Sequence, residues 1–438
     1  MRIGIVPVED PHFGGVYQYS ATMLDTLRQL TAGGCTEEFV VFSDTVPRTA
    51  SRTSVNRRWV VRSRLEDEPV SWKQQTLEFL RYTVGEGALR EALRTLLGRR
   101  AGREQQEADL NRRNYREFIT EQLRREGVEL MLFPAPSSLA FETGIPSVMA
   151  IHDLQHRLQP EFPEVSANGE WERREHMFRN AARYATLLVA DSEVGKEDIL
   201  NFYGDYGVTS DQVKVLPFLP AFYLTREISP EERLRVRTTH QLPDRYLFYP
   251  AQFWPHKNHK RIVQAITLLK DHGMRVDVVF CGSHEGTIRT RAFREVMTLA
   301  SQAGIQENIH FRGYVNDQDM SGLYAEAAGL VMPTFFGPTN IPVLEAWALG
   351  CPVLTSDIRG IREQVNDAAI LVDPRSVESI ADGISKLWTD ERLAKDLVCR
   401  GRALLATYTP EDYRQRLIDI LEEGKIRRSG MHAKVGSR

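Results

Sequence analysis

Residues 333–354 read PTFFGPTNIPVLEAWALGCPVL. The apolar run Gly329–Met332 enters a loop of Pro, Gly, Thr and Asn, and the pattern predicts a helix from about Pro342. Proline suits the first helical position, where an N–H would have no partner. Gly350 then ends the helix, because glycine accepts positive φ. The opening of such a helix, beneath the C-terminal edge of a strand, offers free N–H groups and a positive dipole end. That is a ready site for a phosphate. Glu345 is expected in the first turn. A carboxylate there complements the dipole, or accepts two hydroxyl hydrogens as from a ribose diol.

Working outward, short apolar runs alternate with helix-like stretches along most of the 438 residues. Ile3–Val8, Phe39–Phe42, Leu130–Phe133, Ser147–Ile151 and Thr186–Ala190 form one set. A second set follows: Tyr246–Tyr249, Val276–Cys281, Asn308–Phe311, Gly329–Met332, Pro352–Thr355 and Ala369–Val372. Runs without polar alternation predict strands buried on both faces, as in a parallel sheet covered by helices. Two such sets predict an α/β chain of two doubly wound, Rossmann-like domains facing a cleft. The expected divisions are 1–222, 223–408 and a C-terminal segment 409–438. That segment is expected to be a helix packing back toward the first domain, followed by a flexible tail. Residues 62–126 stand apart as a helical insertion. Leu89, Leu93, Leu96 and Leu97, then Tyr115, Phe118, Ile119 and Leu123, fit two amphipathic helices there.

Composition narrows the function. Hydrophobic residues make up 42% and charged residues 26%, ordinary values for a folded enzyme. A net charge of −3 gives no reason to expect nucleic acid as partner. Cys35, Cys281, Cys351 and Cys399 form no C-x-x-C pair, so neither a zinc site nor a disulfide framework is expected. The N-terminus lacks a signal-peptide apolar region, and a cytoplasmic location is expected.

Three further stretches carry polar residues at strand ends. In YLFYPAQFWPHKNHKRIVQAI (246–266) a strand runs into a loop holding Gln252 and Lys257. Alone, Lys257 reads as a solvated lysine at a helix start; beside the Glu345 segment it reads as a phosphate ligand. His256, Asn258 and His259 are too close together on a loop to make a metal set, so no metal is expected. Gly14 and Gly15 follow the first strand, where glycine permits either a tight turn or close approach of backbone to a ligand. His152 and Asp153 follow the strand at 147–151. Asp317-Gln318-Asp319 is read as a helix start, with Asp317 at the N-cap.

These stretches resemble the nucleotide-sugar site of the retaining GT-B glycosyltransferases of family 4. Pro333, Thr334, Ile341, Pro342, Leu344 and Glu345 match that family's P-S-x-x-E-G-F-G-L-P-x-L-E setting, with Gly337 where its first glutamate stands. Lys257 matches the lysine of its G-R-x-x-x-x-K loop, with Ala251 and Gln252 in place of glycine and arginine. The IHDL stretch matches its H-D-L, and 308–332 its strand–G-Y-V–helix–strand segment. The resemblance implies transfer of a hexosyl group from a nucleoside diphosphate sugar to a hydroxyl acceptor, without cofactor or metal, in polysaccharide or glycoconjugate synthesis. It implies His152, Asp153 and Lys257 at the reaction centre. It implies Gly14, Gly15, Gln252, Lys257, Tyr314, Val315, Thr339, Asn340, Ile341 and Glu345 around the donor. The acceptor is expected to be a saccharide or lipid-linked, with peripheral contact at the inner face of a membrane. A catalytically silent nucleotide-sugar-binding partner subunit and a GT-B nucleotide-sugar epimerase are the alternatives. Base, sugar, acceptor and oligomeric state are not specified by the sequence.

Overall fold

The computed structural model describes residues 1–43, 53–56, 59–63, 116–221, 224 and 228–435. Two sheets organise them. The first joins β1 (Arg2–Ile5), β2 (Glu38–Ser43), β3 (Thr53–Asn56), β4 (Trp59–Ser63), β5 (Leu130–Phe133), β6 (Ser147–Ala150), β7 (Leu187–Ala190) and β8 (Val213–Val215). Their order is β3-β4-β2-β1-β5-β6-β7-β8, parallel except for the β3–β4 pair. The second joins β9 (Leu247–Pro250), β10 (Val278–Cys281), β11 (Ile309–Phe311), β12 (Gly329–Met332), β13 (Val353–Ser356) and β14 (Ile370–Val372). It is wholly parallel, in the order β11-β10-β9-β12-β13-β14.

Every residue of β5, β6, β7, β10, β12 and β13 is buried. Strands with no solvent face have no use for polar alternation, which is why they were legible as unbroken apolar runs. Three strands were not anticipated. β8 is only three residues (VKV), while β3 and β4 abut arginines that mask a strand pattern.

Parallel doubly wound sheets bind ligands where the strand order reverses. In the second sheet the chain leaves β9 toward β10 on one side and toward β12 on the other. In the first sheet the reversal lies at β1, between β2 and β5. The loop after β9 carries Gln252 and Lys257, the loop after β12 is the 333–340 stretch, and the loop after β1 ends at Gly14, with Gly15 opening the helix Gly15–Ala32. Topology therefore brings three of the sequence motifs to the two reversals.

The second domain opens with the helix Pro230–Thr239, closed at its start by a Ser229–Glu232 capping box. The last helix, Pro410–Val435, returns across the first sheet. Its Tyr413, Leu417, Ile420 and Leu421 pack with Ile3, Leu130, Val148 and Leu187. The helix runs on to Val435. Most of the expected 62–126 insertion, including its first helix, lies outside the described residues. The described part, a helix at 116–125, buries Ile119 and Leu123 but leaves Phe118 exposed, so Phe118 belongs to the outer face. Among the described residues no helix is long and apolar enough to cross a membrane.

Candidate functional site

The C-terminal edges of the two sheets face each other across a cavity of about 490 Å³. On the second-sheet side, two loops are tied into one unit. Asn258, at positive φ, donates its side-chain amide to the carbonyls of Pro333 and Pro374, both at 2.8 Å. The Phe335 N–H donates to the His256 carbonyl at 2.8 Å, and the Thr334 hydroxyl to the same oxygen at 3.2 Å. The Tyr249 hydroxyl holds the Lys257 carbonyl at 2.8 Å. Lys257 thereby stands on the cavity wall beside the 333–340 loop. It is half-buried, and its ammonium has no ion-pair or hydrogen-bond partner among the described residues. Burial pushes its pKa down to about 8, with the charges of Asp153 and Glu164 acting against the fall.

The helix after the loop spans Ile341–Ala348 with Pro342 in its first turn, and Gly350 beyond it has φ 72°. Its free amides are fewer than expected. Asn340 N–H donates to Gln364 Oε1 at 2.9 Å, Pro342 has no N–H, and Val343 N–H reaches the Asn340 carbonyl at 3.3 Å. Ile341 N–H is left. Asn340 contributes through its side chain, whose Nδ2 is buried on the cavity wall without a partner among the described residues. Thr339 reaches across the cleft and donates its hydroxyl to Asp191 Oδ2 at 2.6 Å.

Glu345 is the fifth helical residue, not in the first turn, because the helix opens at Ile341. It does not line the cavity wall but lies buried behind it, accepting the Tyr324 hydroxyl at 2.7 Å. Its other oxygen has no partner among the described residues, and burial pushes its pKa up to about 7. Gly337 has φ 118°, a backbone region that L side chains rarely adopt. The loop conformation at this position suits glycine.

On the first-sheet side, Gly14 and Gly15 approach the second domain closely. A Cβ on Gly14 would stand 3.6 Å from Gln252 Nε2, and one on Gly15 3.8 Å from Ile341 Cδ1. The His12 ring leans on Tyr314 with centroids 5.0 Å apart, and Tyr314 and Val315 both line the cavity. His152 lies on the wall, its ring against Tyr19 and Phe218. Nε2 lies 2.9 Å from the Pro134 carbonyl, which only accepts, so Nε2 carries the hydrogen and Nδ1 a lone pair. Burial lowers the pKa of His152, which keeps the ring neutral at pH 7. Asp153 also lines the cavity. Burial would raise its pKa, but the Arg174 guanidinium and the Gln155 N–H hold it below the usual carboxylate range.

The structure thus gathers Gly14, Gly15, His152, Asp153, Gln252, Lys257, Tyr314, Val315, Thr339, Asn340 and Ile341 around one cavity and sets Glu345 behind it. Asn316, not Asp317, caps the helix Asp317–Glu326, accepting the Asp319 N–H at 2.9 Å. Asp319 is engaged by Arg235 and His240, while Asp317 lines the cavity. Arg173 points away and pairs with Glu170, and Ser192 caps the helix Glu193–Tyr203.

Several cavity groups were missed in the sequence. Asp191 follows β7, and a carboxylate just past a strand end was the available signal. Burial pushes its pKa up to about 7 against hydrogen bonds from Thr339 and Ser192. Glu164 accepts both the N–H and the ring Nδ1 of His256, at 3.0 and 2.6 Å, and His256 stacks on Phe336. Nothing local to either residue announces a pair 92 positions apart.

Two doubly wound domains with a cavity between their strand ends define the GT-B architecture. Solved structures agree on the fold. Anabaena HepE in complex with UDP and glucose superposes with a TM-score of 0.65 at 14% identity, covering 96% of this chain and 99% of that one. WaaG, a glycosyltransferase involved in lipopolysaccharide biosynthesis, gives 0.64 at 15% identity, over 96% and 99%. Residues 230–404, most of the second domain, match the family model of glycosyl transferases group 1. Among curated relatives, the O-antigen chain mannosyltransferase B of Escherichia coli is 27% identical over 61% of this chain and 67% of its own length. The serotype-specific mannosyltransferase WbdA of Escherichia coli is 23% identical over 60% of this chain, a match spanning only 32% of that protein.

Proposed function

We propose that this chain is a retaining, metal-independent glycosyltransferase that moves a hexosyl group from a nucleoside diphosphate sugar to a hydroxyl of a saccharide or lipid-linked acceptor. The observation that carries the reading is Lys257: a half-buried lysine on the cavity wall, without a counter-ion among the described residues, at the strand reversal of the second sheet. A buried cation held without a partner is costly, and a dianionic diphosphate supplies the missing charge. Ile341 N–H and the unpartnered Asn340 Nδ2 add neutral donors beside it. Tyr314 and Val315 face the base, and the free oxygen of Glu345 takes a ribose hydroxyl. The neutral His152 accepts a sugar hydroxyl at Nδ1. The names of the relatives favour a mannosyl group.

In the transfer, the bond from the anomeric carbon to the diphosphate oxygen breaks. The acceptor oxygen bonds the same carbon on the same face, and a β-phosphate oxygen takes the acceptor proton. Lys257 stabilises the charge that develops on the departing diphosphate. The test is a thermal-shift screen of UDP-, GDP-, ADP- and dTDP-sugars, followed by NMR of the product's anomeric centre. A donor at a hundredfold excess over its Kd stabilises by about 2.7 kcal/mol, a rise of a few degrees. No shift with any donor defeats the reading, and an inverted anomeric centre defeats the retaining mechanism.

A pH dependence follows from the same lysine. With its pKa pushed down to about 8, Lys257 is charged below that pH and neutral above it. kcat/KM is expected to fall by up to about tenfold per unit above pH 8, since this parameter reports the free enzyme. In Lys257→Arg, which stays charged, any remaining activity is expected to keep no such alkaline limb.

A further inference from the structure

Resting on the transferase reading above, we propose that Arg289 is a positioning residue of the diphosphate subsite: it grips Gln252 by its amide oxygen and so turns the amide NH2 toward the cleft. Gln252 stands where the resembled family carries an arginine, and alone it brings no charge. Arg289 Nη1 donates to Gln252 Oε1 at 2.6 Å. The Trp254 indole N–H donates to the same oxygen at 3.0 Å. With two donors on Oε1, the amide has one orientation, and Nε2 donates to the carbonyl of His12 in the loop that precedes Gly14. An amide NH2 carries two hydrogens. One goes to His12, and the other is available to a ligand on the cavity wall that Gln252 lines.

The nearby charge of Glu285 accounts for only part of the placement of Arg289. Arg289 is the third residue of the helix Thr287–Gln302, where the dipole disfavours a cation. It lies over the Trp254 ring at 4.7 Å, and its Nε is buried without a hydrogen-bond partner among the described residues. A guanidinium held there, one amide-length from the cavity, polarises the amide between them and strengthens its free N–H as a donor to phosphate. The place of the resembled family's arginine is thus filled by two residues: an amide from the loop after β9 that touches the ligand, and a cation behind it from the helix after β10.

Isothermal titration of the full chain decides this, using whichever of UDP, GDP, ADP and dTDP the wild-type protein binds, together with the matching monophosphate. Arg289→Met is expected to weaken the diphosphate by about tenfold or more while changing the monophosphate by no more than about twofold. Gln252→Ala is expected to give a similar selective loss. The double variant is expected to be no weaker than Gln252→Ala alone, because Arg289 acts through Gln252. Arg289→Lys, which keeps the charge and a single donor, is expected to fall between wild type and Arg289→Met, and it carries the test if the methionine variant does not fold. Equal losses for mono- and diphosphate, or additive losses in the double variant, overturn the proposal. If the wild type binds a diphosphate and Arg289→Met binds it equally well, this inference alone fails. If the wild type binds none of the four, the transferase reading fails first.

Discussion

Lys257→Ala is expected to lower kcat/KM for sugar transfer by about 10²- to 10³-fold, the loss typical when a preorganised donor to a developing anion is removed. The variant is expected to remain folded, and the reasons are local. The backbone at 257 is held by the Tyr249 hydroxyl, and the next residue, Asn258, holds the carbonyls of Pro333 and Pro374. None of those bonds uses the lysine side chain. Nor does its charge sustain the neighbours. Asp153 keeps Arg174, and Glu164 keeps His256. The depressed pKa points the same way. The folded state holds the ammonium less readily than the unfolded chain, so between pH 8 and 10.5 stability rises with pH, and removing the group costs no favourable ionisation. A melting temperature close to wild type, with turnover reduced about a hundredfold or more, is the expected pair of results. Turnover near wild type removes Lys257 from the site.

The architecture was legible because its strands are buried on both faces. Unbroken runs such as LMLF at 130–133 and GLVM at 329–332 leave little alternative to a covered parallel sheet. Chain order then placed the glycine pair, His152 and Lys257 after strands, and topology did the rest. What stayed hidden has two physical causes. Short strands contribute too few residues for a pattern, as with VKV at 213–215. Contacts across the cleft join residues far apart in the chain, so no spacing encodes them. Asp191 with Thr339, Glu164 with His256, and Arg359 with Asp198 are separated by 148, 92 and 161 positions. The helix opening shows a subtler limit. Its start was predicted to within one residue, yet that single residue moved Glu345 out of the first turn. The side chain of Gln364, from a different element, took one of the amides assigned to the ligand.

Those cross-cleft contacts bear on how the site works. Phe162 packs against Phe335 and Phe336, Gln159 donates to the Phe335 carbonyl at 3.0 Å, and Arg359 pairs with Asp198 and Glu197. Together with the Thr339–Asp191 and His256–Glu164 bonds, they fasten the loop that carries Asn340 to the first domain. A donor bound against that loop is therefore presented to groups of both domains at once. In the transfer proposed above, closure would exclude water from the diphosphate, and the lower dielectric would strengthen the interactions of Lys257 with it.

Glu345→Gln is expected to separate ligand binding from stability. The carboxyl is 6% exposed and accepts the hydroxyl of Tyr324, which is itself fully buried. Glutamine has the same shape, and its amide oxygen can accept the same hydroxyl, so packing is kept. Ionisation is not. Burial raises the folded pKa to about 7 from an ordinary 4.5. Between those values the folded state keeps a proton that the unfolded chain releases, so stability is lost as pH rises from 4.5 through 7. The loss is on the order of 3 kcal/mol at most, and glutamine abolishes it. Differential scanning calorimetry at pH 8 is expected to give Glu345→Gln a melting temperature equal to or above that of wild type, with the difference closing by about pH 5. Binding is expected to move the other way. A carboxylate oxygen accepting from a ribose hydroxyl contributes about 1.5 to 3 kcal/mol, so nucleoside diphosphate affinity falls about ten- to a hundredfold at pH 8. If titration returned wild-type affinity, Glu345 would be a buried partner of Tyr324 and no more, and the ribose would have to be held by the wall residues of the cavity itself.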